Sequence, residues 1–408
     1  MAQDFTVDRN SSKWVLGSDG YLKEYANDEA AIEFNADGSY KGVLVEPQSI
    51  NEALQSEDLD NATYWTVFRA TIATDTETDP KGGTNSFLLS ETVDNLSHGF
   101  VTASAQRPSI ASGETWTQSI FVKKGDGANA PDIIQLTFGD TIFTAGNYAN
   151  FDISVGGGTS GTVTASSGGT AGIRYYGSGW YRISFTATST GAGGLALILI
   201  FTNNNPTATQ NPTYAGQTDA NVFVWGAQLE ESPIATSYIP TTTGAVTRVK
   251  DDIYLTSASS LIGQTEGTLF VEVDWQLTAG SFQALFEVSD GSNDNRMAIL
   301  KRFVTVDEMI FLGRSNATTV CDITESVTSY TGIHKFAFAY KTDDYKAFKN
   351  GSSIGSDTSG SLASLGTLTD VDFGQAFGQD LQANMWIRAV ALFTSRLTDT
   401  QCEELTTI

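Results

Sequence analysis

Cysteine and histidine are scarce in this sequence, and each shortage removes a class of function. Cys321 and Cys402 are the only cysteines among 408 residues, too few for a disulfide framework. Their spacing predicts no metal site, and two free thiols or one long-range bridge both stay open. His98 and His334 are the only histidines, which leaves little room for Ser-His-Asp or Cys-His catalysis. We expect His98 to lie in a loop and His334 to be structural.

Positive charge and long apolar runs are also lacking. The 23 Lys and Arg face 47 Asp and Glu, for a formal net charge of -24. Because basic side chains drive binding to phosphates and anionic lipids, we expect no nucleic-acid binding and no membrane insertion. The longest apolar run, Leu195 to Phe201, is far shorter than the ~20 residues of a membrane-spanning helix. Residues 1–8 lack the pattern of a secretory signal, so we expect synthesis in a cytoplasm.

Glycine, threonine, serine and aromatic residues are plentiful instead, while charged residues make up only 17%. This mixture predicts many short strands joined by tight turns. Turn signals at Ser18 to Gly20 and at Asn35 to Gly38 predict two small hairpins near the start. A chain of this length suggests two or three domains, each with its own core.

Alternating side chains predict the longer strands. In Gly179 to Thr186, the side chains of Tyr181, Ile183 and Phe185 share one face. In Gly267 to Trp275, four apolar side chains share one face: Leu269, Val271, Val273 and Trp275. Thr398 with Gln401 predicts a capping box that starts a short helix to about Leu405.

The most informative segment joins the two halves of the chain. Asn221 to Glu230 alternates as a strand does, and Ser237 to Arg248 is a threonine-bearing connector. Strand-like patterning restarts at Asp252 to Leu255. We therefore predict an all-β chain of two tandem antiparallel β-sandwiches (jelly-roll type) after a small N-terminal β-hairpin region. The predicted units are residues 1–52, 53–245 and 246–408, and we expect the first to pack on its neighbour or on another subunit.

Two segments resemble virion proteins of tailed bacteriophages, and a third resembles a class of β-sandwich domains. Trp225 to Asp251, WGAQLEESPIATSYIPTTTGAVTRVKD, resembles the end of a carbohydrate-binding-module-like domain in many of them. Lys41 to Asn51, KGVLVEPQSIN, resembles the signature that precedes that domain. The ending from Ala391 to Leu405 resembles the close of laminin-G and concanavalin-like domains. The chain thus resembles fibre, spike or decoration proteins with these two domains in tandem.

The resemblance implies a function that composition and periodicity do not. It implies a non-enzymatic structural component of a virion, a head or tail fibre, spike or decoration protein on the virion surface. Residues 1–52 would anchor it to other virion proteins, and it would form a homo-oligomer, often a trimer in fibres. Contact with host cell-surface glycans is implied as well.

Sugar binding by such modules uses aromatic faces that stack on sugar rings. The candidates lie in or next to predicted loops: Tyr64, Trp65, Tyr148, Tyr175 and Tyr176. The alternative is that these aromatic side chains close the core at strand ends.

A concanavalin-like sandwich can also be a glycoside hydrolase. Glu272 and Asp274 share a strand face, as in the catalytic pattern Glu-x-Asp-x-x-Glu, but Leu277 occupies the third position. We therefore expect no enzyme. The alternatives are a polysaccharide depolymerase, a bacterial carbohydrate-binding protein unrelated to virions, and pure capsid or tail reinforcement without a glycan partner.

Ser289 to Asn295 offers enough side-chain oxygens for calcium on a rim loop. Asp-Gly and Asn-Asp clusters are also ordinary hairpin chemistry, so calcium stays open at this loop. We expect no other cofactor.

Overall fold

The structure is a computed structural model that describes residues 5–139, 141–154, 161–276, 282–303, 305–326, 331–376 and 382–408. Within these ranges the chain is all-β, with antiparallel strands and a single α-helix. Six strands come from the start of the chain: β1 (Thr6–Asp8), β2 (Lys13–Leu16), β3 (Leu22–Tyr25), β4 (Ile32–Phe34), β5 (Tyr40–Val45) and β6 (Ser49–Asn51).

The middle of the chain contributes sixteen strands and a short 3-10 helix, Ser104–Gln106, within the described ranges. The strands are β7 (Trp65–Phe68), β8 (Ala70–Asp75), β9 (Ser86–Glu91), β10 (Asn95–Leu96), β11 (Gly99–Thr102), β12 (Ser109–Ile110), β13 (Thr115–Lys124), β14 (Ile133–Thr137), β15 (Tyr148–Asp152), β16 (Thr162–Ser167), β17 (Thr170–Gly177), β18 (Trp180–Thr188), β19 (Gly193–Gly194), β20 (Ile198–Phe201), β21 (Tyr214–Ala215) and β22 (Asn221–Glu230).

The last third contributes β23 (Val246–Arg248), β24 (Asp252–Leu255), β25 (Glu266–Gln276), β26 (Gln283–Ser289), β27 (Arg296–Phe303), β28 (Asp307–Ser315), β29 (Thr318–Ser326), β30 (Thr331–Lys341), β31 (Tyr345–Lys349), β32 (Ser352–Asp357), β33 (Asp370–Phe373), β34 (Met385–Phe393) and the helix α1 (Asp399–Thr406). None of the helices described here is long and apolar enough to cross a membrane.

Two sheets form the middle sandwich. One has the order β16-β15-β14-β20-β11-β7 and the other β17-β18-β13-β22-β9-β8. Inward side chains of both sheets build one apolar core, and Tyr181, Ile183 and Phe185 of β18 lie in it, as the alternation predicts. Because strand side chains alternate, Trp180, Arg182 and Ser184 point to the other side of this sheet.

Two larger sheets form the C-terminal sandwich. Their orders are β1-β24-β33-β26-β27-β28-β29 and β32-β31-β30-β25-β34-β5-β4. Leu269, Val271, Val273 and Trp275 of β25 lie together in its core, which confirms the predicted face. The helix α1 begins with the predicted capping box at Thr398.

The first 51 residues supply strands to both regions. The predicted hairpins are present as β2–β3 and β4–β5. β1 pairs with β24, and β5 pairs with β34, so both large sheets are completed by the start of the chain. The β2–β3 hairpin packs Leu16 and Leu22 against Phe121 and Trp225 on the outer face of the middle sandwich. The boundaries near residues 52 and 245, and the anchoring role of residues 1–52, stay predictions.

Candidate functional site

A cleft of about 240 Å³ lies where the N-terminal segment, the middle sandwich and the C-terminal sandwich meet. Its floor is the outer face of β17 and β18, and the segment from Pro233 to Ser237 forms one side. Trp14 and Glu33 from the N-terminal strands and Trp386 from β34 complete the walls. The cleft therefore exists only because the three parts of the chain pack together.

The floor of the cleft is lined by small polar side chains. Strand alternation sends Ser184 and Thr186 of β18 outward, next to Thr170 of the neighbouring β17. Gly172 keeps the floor open, because a Cβ atom there would lie 2.7 Å from the Ser184 hydroxyl oxygen. Hydroxyl groups in such a row can exchange hydrogen bonds with the hydroxyls of a sugar.

Two arginines stand opposite each other on the floor. Arg174 of β17 and Arg182 of β18 are cross-strand partners. The Arg174 guanidinium pairs with the Glu33 carboxylate at 2.6 Å between Nη1 and Oε1. Burial works against the charged form of Arg174, but the Glu33 carboxylate prevails and raises its pKa above the ordinary value.

Arg182 is bound differently from Arg174. It is 6% exposed, and it donates hydrogen bonds to the Thr236 carbonyl at 2.5 Å and to the Ser119 hydroxyl at 2.9 Å. Its Nε is buried without a hydrogen-bond partner among the described residues. Among the residues that the structure describes, no carboxylate forms an ion pair with the Arg182 guanidinium.

Aromatic side chains form the walls of the cleft. Trp386 donates a hydrogen bond from Nε1 to the Glu33 carboxylate at 2.5 Å, which fixes the indole plane. The Lys41 ammonium lies 3.6 Å from the centre of the Trp386 ring. Tyr176 is buried beside Arg174, and the buried Nε1 of Trp14 has no partner within the described ranges. The cleft thus combines aromatic surface, charge and unpaired donors.

The five aromatic residues predicted from the sequence do not form one surface. Trp65 is 3% exposed, stacks on Phe100 and donates its Nε1 hydrogen bond to the Gln55 carbonyl. Tyr64, which precedes it, packs half-buried against the same core. Tyr148 begins β15, four strand spacings or about 19 Å from β7 across the same sheet.

Tyr175 and Tyr176 point to opposite sides of β17. Tyr175 contacts Tyr181 at the core, and its hydroxyl accepts a hydrogen bond from the Gly179 amide. Tyr176 faces outward and lines the cleft. Of the five candidates, Tyr176 is the one that the structure brings to the cleft, and sugar binding by the others stays a prediction.

Sequence reasoning missed Trp14, Glu33, Trp386 and the two arginines as site residues. The one local signal was the position of Arg182, a charged side chain on the outward face of an otherwise apolar strand. Nothing local marks Trp14, Glu33 or Trp386, because they reach the cleft only through contacts between distant strands.

The carboxylates of the candidate catalytic pair are held in ion pairs. Glu272 meets Arg388 at 2.8 Å and Lys335 at 3.8 Å, and Asp274 lies 4.0 Å from Lys41. Leu277, the third position of the catalytic pattern, lies outside the described residues. The pair therefore faces cations across a sheet surface.

The loop from Ser289 to Asn295, at which the sequence leaves calcium open, has several of its side-chain oxygens in hydrogen bonds with protein groups. Asp290 accepts hydrogen bonds from Ser292 at 2.5 Å and from the Asn295 amide at 2.7 Å. The Asn295 oxygen accepts from the backbone amides of Asn316 and Gly366. Across the ranges that the structure describes, no three His, Cys, Asp or Glu side chains are grouped to hold a metal ion.

The two histidines and the two cysteines lie in surroundings that suit structural roles. His98 lies in the loop before β11, buried, with Nδ1 at 2.7 Å from the Arg69 carbonyl. His334 is in β30 beside Asn350. Cys321 and Cys402 are both buried free thiols, which answers the question of a bridge, and burial raises their pKa values to about 12 and about 11.

Comparison with known proteins gives likenesses in fold. No protein-family model and no curated protein matches the chain. The Ruminococcus gnavus IT-sialidase CBM40 bound to alpha2,3 sialyllactose is 14% identical, covering 37% of this chain and 86% of that one, with a TM-score of 0.31. Mouse laminin alpha1 chain domains LG4-5 are 10% identical, covering 86% and 90%, with a TM-score of 0.25.

A third solved structure is the GH43 BlXynB protein from Bacillus licheniformis. It is 10% identical, covering 94% of this chain and 74% of that one, with a TM-score of 0.26. At these identities and TM-scores the likeness is one of β-sandwich architecture and carries nothing about ligand or reaction.

Proposed function

We propose that this protein is a non-enzymatic structural component of a tailed-phage virion that binds host-surface glycans through the cleft. The observation that carries glycan binding is the cleft itself. It places the Trp386 and Tyr176 rings beside two arginines and a row of hydroxyls, and sugar sites combine apolar ring faces with a few fixed polar groups.

The virion part of the proposal rests on the resemblance of Trp225 to Asp251 and of Lys41 to Asn51 to phage virion proteins. On this view the protein lies on the virion surface, contacts other virion proteins and forms a homo-oligomer. Mass spectrometry of purified particles tests it. Absence of the protein from particles would favour the bacterial carbohydrate-binding alternative.

The non-enzymatic part is supported by the ion pairs of Glu272 and Asp274, since carboxylates held by Arg388, Lys335 and Lys41 are poorly placed for proton transfer. A reducing-end assay on host surface polysaccharide tests it, with Glu272→Gln beside the unaltered protein. Turnover that disappears in Glu272→Gln would make the protein a depolymerase.

Glycan binding in the cleft is tested with Gly172→Leu, which fills the floor. The control is Thr71→Leu on β8, an exposed position on the opposite edge strand of the same sheet. We expect Gly172→Leu to weaken binding on a glycan array at least tenfold and Thr71→Leu to leave it unchanged. A glycan array without any hit for the unaltered protein would favour pure reinforcement.

A further inference from the structure

We infer that the cleft is selective for acidic saccharides and that Arg182 binds their carboxylate. This inference rests on the proposed function and specifies its ligand class. The starting observation is that Arg182 is 6% exposed and forms no ion pair with any described carboxylate. A buried guanidinium is normally paired, because an uncompensated buried charge is costly.

The carboxylate that pairs with Arg174 does not also pair with Arg182. Glu33, with a side chain 2% exposed, binds Arg174 through one oxygen and the Trp386 indole through the other. Both oxygens of this carboxylate are therefore engaged on the Arg174 side of the cleft. Arg174 and Arg182 carry like charges on directly opposed positions and repel each other. A second anion, bound beside Arg182, would reduce this repulsion.

Glu46, the other carboxylate that lines the cleft, is also engaged. It lies 3.0 Å from the Lys13 ammonium and 3.7 Å from Arg248, and Ser237 donates a backbone hydrogen bond to it at 2.7 Å. Arg248 and Lys13 also contact Asp251, and so does Arg9, so this buried cluster holds three cations and two carboxylates. The two carboxylates of this cluster are therefore already paired with its three cations, and they do not neutralise the charge of Arg182.

The missing group is best supplied by a ligand carboxylate. The unpaired Nε of Arg182 is the kind of donor that planar carboxylates bind, and guanidinium–carboxylate pairs are strong and directional. The Ser184 and Thr186 hydroxyls follow Arg182 on the same outward face of β18 and can bond ring hydroxyls, and the Trp386 and Tyr176 side chains line the cleft beside them. A volume of about 240 Å³, below the roughly 300–1,000 Å³ of drug-sized sites, suits a single sugar residue.

Saturation-transfer NMR on the unaltered protein tests this without any variant. The probes are N-acetylneuraminic acid and glucuronic acid, each beside its methyl ester, which keeps the ring and removes the charge. We expect at least one acid to bind at least tenfold more tightly than its ester. Glucose 6-sulfate is a third arm, and sulfate binding equal to that of both acids would overturn the assignment to a carboxylate.

Arg182→Met then tests the residue, with Arg302→Met as the matched control on the C-terminal sandwich, where Arg302 pairs with Glu308 and Asp322. We expect Arg182→Met to abolish the preference for the acid over the ester and Arg302→Met to preserve it. Thermal melts of both variants check folding, and the ester comparison on the unaltered protein decides if Arg182→Met does not fold.

The outcomes separate this inference from the proposed function. Binding of acid and ester alike, or array hits confined to neutral glycans, overturns acid selectivity and leaves glycan binding standing. Failure of every glycan, acidic or neutral, overturns both.

Discussion

Asp372 carries a carboxylate whose surroundings disfavour its charge. It lies on β33 with Glu287 of β26 as its cross-strand partner, and its buried Oδ2 has no hydrogen-bond partner among the described residues. Arg296 pairs with Glu287 at 3.0 Å rather than with Asp372. Burial, followed by the charges of Glu287 and other nearby carboxylates, raises the pKa of Asp372 to about 7.

The raised pKa of Asp372 predicts a pH-dependent stability. The folded state binds this proton more tightly than the unfolded state, so the stabilisation is present below the unfolded pKa of 3.8 and is lost as the pH rises through about 7. Asp372→Asn should flatten this fall and raise the free energy of unfolding at pH 8, by up to about 4 kcal/mol. Urea unfolding at pH 5 and pH 8 measures both effects.

The control for Asp372→Asn is Asp343→Asn, an exposed turn residue with a left-handed φ of 56° that asparagine also adopts readily. We expect its pH profile to match that of the unaltered protein. An Asp372→Asn profile that keeps the full slope between pH 5 and pH 8 would show that another group titrates there.

At the scale of elements, the helix α1 depends on its first turn. The Thr398 hydroxyl accepts a hydrogen bond from the Gln401 amide, and the Gln401 side chain accepts one from the Thr398 amide. The helix covers Cys402, which packs with Ala337 and Phe348 of the sheet beneath. Loss of the N-cap hydrogen bond should therefore change how readily the Cys402 thiol is reached by a reagent.

Thr398→Ala should destabilise α1 by about 1 kcal/mol, the usual effect of losing an N-cap side chain. Because local opening exposes Cys402, we expect its alkylation by iodoacetamide to become about fivefold faster. Cys321, in the core of the same sandwich, is the internal control and should keep its rate. Equal labelling of Cys402 in the variant and the unaltered protein would mean that packing alone holds the helix.

Local patterns predicted much of the fold and little of the site. The inward faces of β18 and β25, the two early hairpins and the capping box follow from short-range alternation and turn chemistry. The strands with which those hairpins pair do not follow from local patterns, because the pairing of β5 with β34 joins residues far apart in sequence. The cleft depends on the same long-range contacts, so Trp14 and Trp386 gave no local signal.

Aromatic residues near strand ends were a weak guide for a related reason. An aromatic ring in a β-sandwich lowers the free energy most when it is buried, and Trp65 is buried against Phe100. Tyr176 lines the cleft because its side chain points to the outer face of β17, beside which the N-terminal strands and Trp386 pack. The sequence does not distinguish these two environments.

For the whole molecule, the segments that resemble virion proteins meet in one buried seam. Glu46 belongs to one segment, and Arg248 and Asp251 belong to the other. In the same seam, Glu230 accepts hydrogen bonds from Ser49 at 2.6 Å and from the Thr236 hydroxyl at 2.7 Å. These motif residues therefore hold the sandwiches and the N-terminal segment together, and their polar groups face each other rather than the solvent.

Asp251→Asn should loosen this seam. It leaves Arg9, Lys13 and Arg248 with one carboxylate, and removing one partner of a buried ion network typically costs about 3–5 kcal/mol. In differential scanning calorimetry we expect a lower midpoint and two separate transitions, because the sandwiches lose their shared core of charges.

Asp252→Asn is the matched control for the seam. Asp252 is the next residue along the chain and pairs with the partly exposed Lys250 at 3.5 Å. Partly exposed pairs contribute roughly 0–1 kcal/mol, so its calorimetric trace should stay close to that of the unaltered protein. Matching traces for Asp251→Asn and Asp252→Asn would contradict a structural role for the cluster.

Completion of both C-terminal sheets by the start of the chain has a consequence during synthesis. Val43 leaves the ribosome long before Ile387, with which it pairs, and at roughly 5–20 residues per second the delay is tens of seconds. During that interval the nascent hairpin has its unpaired edge open to any extended peptide. A neighbouring copy emerging from the same messenger could fill that edge, so slow translation would favour strand-swapped chains over self-contained ones.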